Sequence, residues 1–247
     1  MQKKKLPDTS SSSAWQENIK RQDRSDKTKK YGIWGIIIAV CVVGFAGLAY
    51  LTNKTTTSPS IAGKEETNLR KVDDSDIIVG NPKAKITLME YGDMQCPACA
   101  AYNPLVNQVL DDYKGEVRLV YRFFPLTTVH KHAYLSAQAA YAAWKMDKFD
   151  EMKNKLFDKQ GDWEALSDPD AQNAFVDYAR EVGLDQDKFK ELMLSKEAKD
   201  YVSRSEKEAI GLGLNSTPTF FLGNVFIAPK NLSDFKSLID QKLSSKQ

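Results

Sequence analysis

Ile86-Thr87-Leu88-Met89-Glu90-Tyr91-Gly92-Asp93-Met94-Gln95-Cys96-Pro97-Ala98-Cys99 is the stretch on which the fold turns. Its first half alternates, with Ile86, Leu88 and Glu90 on one face of a strand and Thr87, Met89 and Tyr91 on the other. Gly92 and Asp93 end the strand. The cysteine pair then opens a helical run, Ala100 to Tyr113, in which Leu105, Val106, Val109, Leu110 and Tyr113 keep helical spacing and Gly115 closes the element. Pro104 inside this run is expected to kink it, because its ring displaces a backbone hydrogen bond. Two thiols separated by two residues can close into a small disulfide ring and reopen.

Downstream, Val117 to Phe124 reads as a second strand ended by Pro125, so the order strand, helix, strand implies a parallel βαβ pair. Lys131 to Gly211 reads as several helices. Tyr134, Gln138, Tyr141 and Trp144 lie on an Ala-rich one, and Phe149, Met152 and Leu156 form a second stripe. Asp168-Pro169 starts a third helix that Gly183 stops; Phe189, Leu192 and Met193 mark a fourth, and Ala198, Val202 and Ala209 a last one. Strands return at Thr219 to Phe221 and Val225 to Ile227. Leu222-Gly223-Asn224 between them has Gly first, as a type II′ hairpin turn prefers. Leu232, Phe235, Leu238, Ile239 and Leu243 form a final amphipathic helix. The order is β-α-β, a helical block, then β-β-α, without internal repeat.

Upstream, residues 1–31 are polar and charged, with nine Lys/Arg against four Asp/Glu, and are expected to be a disordered cytoplasmic tail. Residues 32–51 carry no charge, and 20 residues of helix match the bilayer core of about 30 Å. Tyr31, Trp34 and Tyr50 sit near the ends of this run, and the preceding Lys and Arg residues keep the N-terminus inside. The expectation is one transmembrane signal-anchor helix with the C-terminal domain extracytoplasmic; a cleaved signal peptide is the alternative, though the run exceeds the usual apolar core of about 7–15 residues. Residues 52–75, rich in Thr, Ser, Lys and Glu, read as a flexible stalk, and residues 76–247 as the folded domain.

Composition excludes several classes. The net charge of +2 over 247 residues divides into +5 in the tail and, by subtraction, −3 in the remainder, which argues against nucleic-acid binding. Of three cysteines, Cys41 lies in the apolar run, and Cys96 and Cys99 are too close together to staple a domain. A lone CxxC points to catalysis or metal binding. Zinc would need His130 and His132, whose spacing is tighter than the usual ligand pattern, and these two read as cap or packing residues.

At a helix N-terminus, unpaired amide N–H groups favour an anion, so the Cys96 thiol should be acidified and act as nucleophile. Cys99, one turn on and deeper, resolves the resulting mixed disulfide. Glu90 either lies under the pair, where burial would raise its pKa and suit it to shuttle the proton of Cys99, or faces outward on an edge strand; alternation leaves both open. Thr217-Pro218 precedes a strand, where an X-Pro bond can be cis.

Taken together, Gly80-Asn81-Pro82-Lys83-Ala84, Ile86 to Asp93, Cys96-Pro97-Ala98-Cys99, Arg122 to Leu126 with His130 and Ala133, Tyr178-Ala179 with Gly183-Leu184-Asp185, and Thr217 to Phe221 resemble the DsbA-like thiol–disulfide oxidoreductases, in their membrane-anchored extracytoplasmic branch. The resemblance covers about residues 76 to 244. It implies an α/β thioredoxin fold with a helical domain inserted at about residues 130–212, preceded here by the transmembrane helix. It further implies a redox disulfide between Cys96 and Cys99, Glu90 as the buried acid, and Pro218 as a cis-proline after substrate-binding Thr217. Where the best-known member carries His between the cysteines this chain has Ala98, which implies a less acidic Cys96 and a weaker oxidant.

The expected function is therefore an extracytoplasmic enzyme, anchored in the cell membrane, that introduces disulfides into exported proteins. Its partners would be substrates with Cys thiols and a membrane redox partner or small oxidant, with no metal and no organic cofactor. A reductase or isomerase of the same fold and a non-catalytic, chaperone-like peptide-binding module are the alternatives.

Overall fold

The computed structural model describes Gly63 and residues 65–245. The expected tail, the anchor at 32–51 and the first part of the stalk lie outside the described residues. Among the described residues, no helix is long and apolar enough to cross a membrane.

Five strands form one sheet in the order β1-β3-β2-β4-β5, where β1 is Ile77–Gly80, β2 Ile86–Gly92, β3 Val117–Phe123, β4 Thr219–Leu222 and β5 Val225–Ile227. β2 and β3 are parallel, joined by helix α1 (Pro97–Asp112), and every other pair is antiparallel. The parallel βαβ pair is thus as expected, whereas β1 was missed. Four residues of the sequence Ile77-Ile78-Val79-Gly80 are too short to show a period, and only pairing with Leu119 to Tyr121 makes them a strand. α1 runs through Pro104, whose side chain is exposed, so the carbonyl deprived of its N–H partner can turn to water. In the β4–β5 hairpin, Leu222 faces Val225 and Gly223 takes a φ of +68°, as the first central position of a type II′ turn requires.

Between β3 and β4 lies the helical block: α2 (Ala133–Trp144), α3 (Phe149–Asp158), the single turn α4 (Gln160–Trp163), α5 (Asp168–Glu181), α6 (Gln186–Leu194) and α7 (Lys196–Gly211). α2 is buried on nearly every side, because its alanines let α3, α5, α6 and α7 approach closely. Ser167, Asp185 and Ser195 cap α5, α6 and α7 with side-chain oxygens. The last helix, α8 (Leu232–Ser244), buries Phe235, Leu238 and Ile239.

The two sheet faces differ as the alternation of β2 requires. Ile86 and Leu88 join Val106 and Val109 of α1, Phe235 of α8 and the helical block in one continuous core. Met89 and Tyr91 pack on the opposite face with Val120, Phe221 and Ala209. That second face corrects one expectation. Residues 65–75 were read as part of a flexible stalk, yet Leu69 and Val72 pack against this cluster and Glu65 pairs with Val225 at the sheet edge. Their polar composition hid this, because the segment is held mainly by charge. Arg70 bonds Asp76 at 2.5 Å and Glu208 at 3.1 Å. Arg122, only 2% exposed, bonds Asp76 at 3.0 Å, Glu208 at 2.5 Å and the Tyr91 hydroxyl at 2.9 Å. One ionic cluster thereby ties the segment, the sheet and α7 together.

Candidate active site

Cys96 occupies the N-cap of α1 with extended backbone (φ −76°, ψ 121°), and Pro97 follows in the first turn, where a missing N–H goes unfelt. Both cysteines are free thiols; Cys96 is 6% exposed and Cys99 fully buried. The Thr217-Pro218 peptide bond is cis, and the Thr217 carbonyl lies 3.4 Å from the Cys96 sulfur, which donates to it. β4 carries this turn to the thiols by pairing with β2, Thr219 facing Tyr91. The structure therefore brings Cys96, Cys99, Thr217 and Pro218 together from opposite ends of the domain.

The two thiols differ sharply in acidity. Cys96 falls from the ordinary 9.0 to about 5: the Cys99 thiol lowers it by donating to its sulfur, burial opposes, and the Thr217 side chain with the backbone N–H groups of Cys99 and Ala98 adds to the lowering. With Ala98 between the cysteines there is no imidazole beside Cys96, and the lowering comes from the Cys99 thiol, Thr217 and the backbone donors. Cys99 is pushed well above its ordinary value by burial first, then by donating to Cys96 and by the negative charges of Glu90 and Cys96.

Glu90 lies on the thiol side of the sheet and is 3% exposed, which decides between its two readings. Burial raises its pKa from 4.5 to about 7; Lys153 pulls the other way, and the Cys96 thiolate adds to the rise. Lys153, 1% exposed in α3, donates to Asn107 Oδ1 at 3.1 Å and pairs with Asp150 at 3.0 Å. The sequence reading missed it, although a lysine at the core-facing position between Met152 and Leu156 was a legible signal.

Also missed was how the helical block holds the turn before Cys96. Asp93, 1% exposed, accepts from the backbone N–H groups of Gln95 at 2.8 Å and Leu126 at 2.9 Å. Gln160 donates to the Met94 carbonyl at 3.0 Å, and Gln95 donates to the Glu164 carbonyl at 3.2 Å while accepting from His132 N–H at 2.5 Å. Gly92 must be glycine, since a Cβ there would overlap the Tyr121 hydroxyl. The two histidines weighed as zinc ligands turn to separate partners: His130 to Asp93 at 2.8 Å, and His132 to the Leu166 carbonyl at 2.9 Å.

Beside Pro218 opens a cavity of about 350 Å³, lined by Tyr102, Phe220, Phe226, Ile227 and Pro229. A nucleophilic thiolate, a buried resolving thiol, a buried acid titrating near neutrality and a cavity beside Pro218 are the parts that dithiol–disulfide exchange needs.

Residues 72–241 match a family model described as thioredoxin. Among curated proteins, the chain is 34% identical over 149 residues to Na(+)/H(+) antiporter NhaA 1 of Salinispora arenicola, covering 60% of this chain and 22% of the antiporter. It is 32% identical over 173 residues to Na(+)/H(+) antiporter NhaA 3 of Salinispora tropica, covering 70% and 25%. The chain thus spans about a quarter of the length of the curated relatives it matches. A solved thioredoxin-like oxidoreductase from Silicibacter pomeroyi superposes with a TM-score of 0.58 at 28% identity, over 70% of this chain and 94% of that one. BdbD from Bacillus subtilis (TM-score 0.61, 22% identity, 76% and 96% covered) and α-DsbA1 from Wolbachia pipientis (0.62, 23%, 71% and 95%) share the fold.

Proposed function

The chain belongs to the thioredoxin family, and on that premise we propose that it is an extracytoplasmic thiol–disulfide oxidoreductase that introduces disulfides into exported proteins. The observation that carries this reading is the acidity of Cys96, at about 5, beside a Cys99 far less acidic. A stabilised thiolate favours the dithiol over the disulfide, so the disulfide form passes its oxidising equivalents on readily. A substrate thiolate attacks Cys96 of the Cys96–Cys99 disulfide, and Cys99 leaves. A second substrate thiolate then displaces Cys96, giving an oxidised substrate and a reduced dithiol. Glu90 supplies and recovers the proton of Cys99. Thr217 and Pro218, with the apolar cavity beside them, would seat an extended peptide at the sulfur.

Regeneration of the disulfide requires a membrane redox partner or a small oxidant. Residues 32–51 would anchor the enzyme in the cell membrane with its N-terminus in the cytoplasm. The antiport named in its curated relatives is not carried over, because only about a quarter of their length is matched. The description of the Silicibacter protein as an oxidoreductase supports the redox reading. Equilibration with glutathione buffers tests the direction of exchange. The expected reduction potential lies above that of the glutathione couple; a value well below it would make the protein a reductase.

A further inference from the structure

α7, the segment before β1 and Arg122 of β3 enclose a cavity of about 440 Å³. That volume lies within the range of about 300–1,000 Å³ usual for small-ligand sites. Glu208 in its wall accepts from the Tyr91 hydroxyl at 2.5 Å, which puts the cavity on the Tyr91 side of the sheet. Four cations and three carboxylates line it. Arg70 and Arg122 are engaged with those carboxylates: Arg70 pairs with Asp73 at 2.7 Å, and the two arginines share Asp76 and Glu208 at 2.5–3.1 Å. The other two cations, Arg204 and Lys207, are exposed at the rim and form no ion pair among the described residues.

Arg204 and Lys207 are three residues apart on α7, so they are neighbours on its surface. The Arg204 guanidinium lies over the Tyr201 ring, 5.7 Å from its centroid, and the Tyr201 hydroxyl donates to the Ser75 carbonyl at 2.8 Å, which holds that charge at the cavity wall. Between them in the chain, Ser205 also lines the cavity. It is 8% exposed, and its hydroxyl has no hydrogen-bond partner among the described residues, although a helical serine can bond the carbonyl four residues earlier. A buried hydroxyl left in this state costs free energy that an acceptor in the cavity would recover.

Two positive charges without a counter-ion and one donor without an acceptor, in one cavity, fit a doubly charged group with several acceptor oxygens. We propose that this cavity binds a phosphate group, free or as a monoester. Arg204 and Lys207 balance its charge, and the Ser205 hydroxyl donates to one of its oxygens. The wall comes from two segments, residues 70–76 and α7, so the bound anion joins them and stabilises the folded state by mass action. This site is independent of the exchange reading, and its failure would leave that reading untouched.

The experiment follows hydrogen exchange by mass spectrometry on the full-length protein in neutral detergent micelles, which reads residues 65–76 and 201–208 apart from the basic N-terminal residues. Millimolar inorganic phosphate should slow exchange in both segments, and sodium chloride of equal ionic strength should not. Arg204→Gln combined with Lys207→Gln should abolish the slowing. Ser205→Ala should raise the phosphate concentration for half-maximal slowing about tenfold or more, as expected of a lost hydrogen bond to a charged group. Glycerol phosphate in solution and phosphatidic acid doped into the micelles separate the two sources: slowing by the first assigns the site to a soluble phosphate monoester, and slowing by the second alone to a lipid headgroup. No slowing by any of these phosphates, equal slowing by chloride, or slowing that survives the double substitution would overturn the proposal and leave a cavity filled with water. An unchanged half-maximal concentration in Ser205→Ala would overturn it too, and this variant decides alone if the double one does not fold.

Discussion

Cys96 sits where the chain changes from extended to helical backbone, and its chemistry follows from what surrounds that point. Its sulfur lies beside the Cys99 thiol, two backbone N–H groups that lower its pKa, and the Thr217 carbonyl at 3.4 Å. Alkylation by iodoacetamide should therefore be fast at pH 6 and fall only as pH drops through about 5. Slow reaction at pH 6 would leave the fold as a peptide-binding module with an inert thiol pair. The same shift has a stability consequence for the dithiol form. A pKa depressed from 9.0 to about 5 contributes stability that is full above pH 9 and is lost as pH falls toward 5, so the dithiol form should lose ground against the disulfide form over that window.

Glu90 shifts the opposite way. A carboxyl raised from 4.5 to about 7 leaves stability untouched below pH 4.5 and weakens the fold increasingly up to about pH 7. Glu90→Gln should hence match wild type in urea denaturation at pH 4 and exceed it at pH 8. It should also lower turnover by about 100-fold, the low end of general acid–base effects, and remove the inflection near pH 7. Full activity at every pH would remove Glu90 from the proton path.

At the scale of elements, β2 separates two chemistries by its alternation. Glu90 faces the dithiol and Tyr91 the ionic cluster of Arg122, Asp76, Glu208 and Arg70. The two buried charges, Arg122 and Asp76, are held by partners on three different segments. Removing one partner leaves the others buried and uncompensated. Arg122→Leu should lower the free energy of unfolding by about 3–5 kcal/mol in urea denaturation, with residues 65–75 becoming sensitive to protease. A loss under about 1 kcal/mol, or continued protection, would mean that Leu69 and Val72 hold the segment without the charges. Strand β2, helix α1, the hairpin and α8 were legible because each carries a period or a turn signal over enough residues. β1 and the packed segment 65–75 were not, since neither repeats, and each gains its structure from a partner more than 35 residues away in the chain (Ile77 with Tyr121, Arg70 with Glu208).

At the scale of the whole molecule, the proposed transfer of disulfides to substrates needs a compartment where disulfides persist, so the proposal depends on the side of the membrane on which the domain lies. The charge asymmetry around residues 32–51 is the ground on which we propose that the domain lies outside. In intact cells, a membrane-impermeant maleimide should label Cys96 after reduction and miss a cysteine introduced in residues 1–31. The reverse labelling would invert the topology and end the proposed role in export.

The sequence by itself determined the redox centre and the order of elements around it. CxxC behind an alternating strand, a late Thr-Pro and periodic helices are local patterns, and local patterns survive in one dimension. Only the tertiary structure decided which face Glu90 takes, how acidic Cys96 is, and that Lys153, Asp93 and His130 stand around the site. Each of these depends on burial and on donors brought together from distant segments: Thr217 to Cys96, the loop after β3 to Asp93, α3 to Glu90. A pKa is set by its surroundings in space, and those surroundings do not exist until the chain has folded.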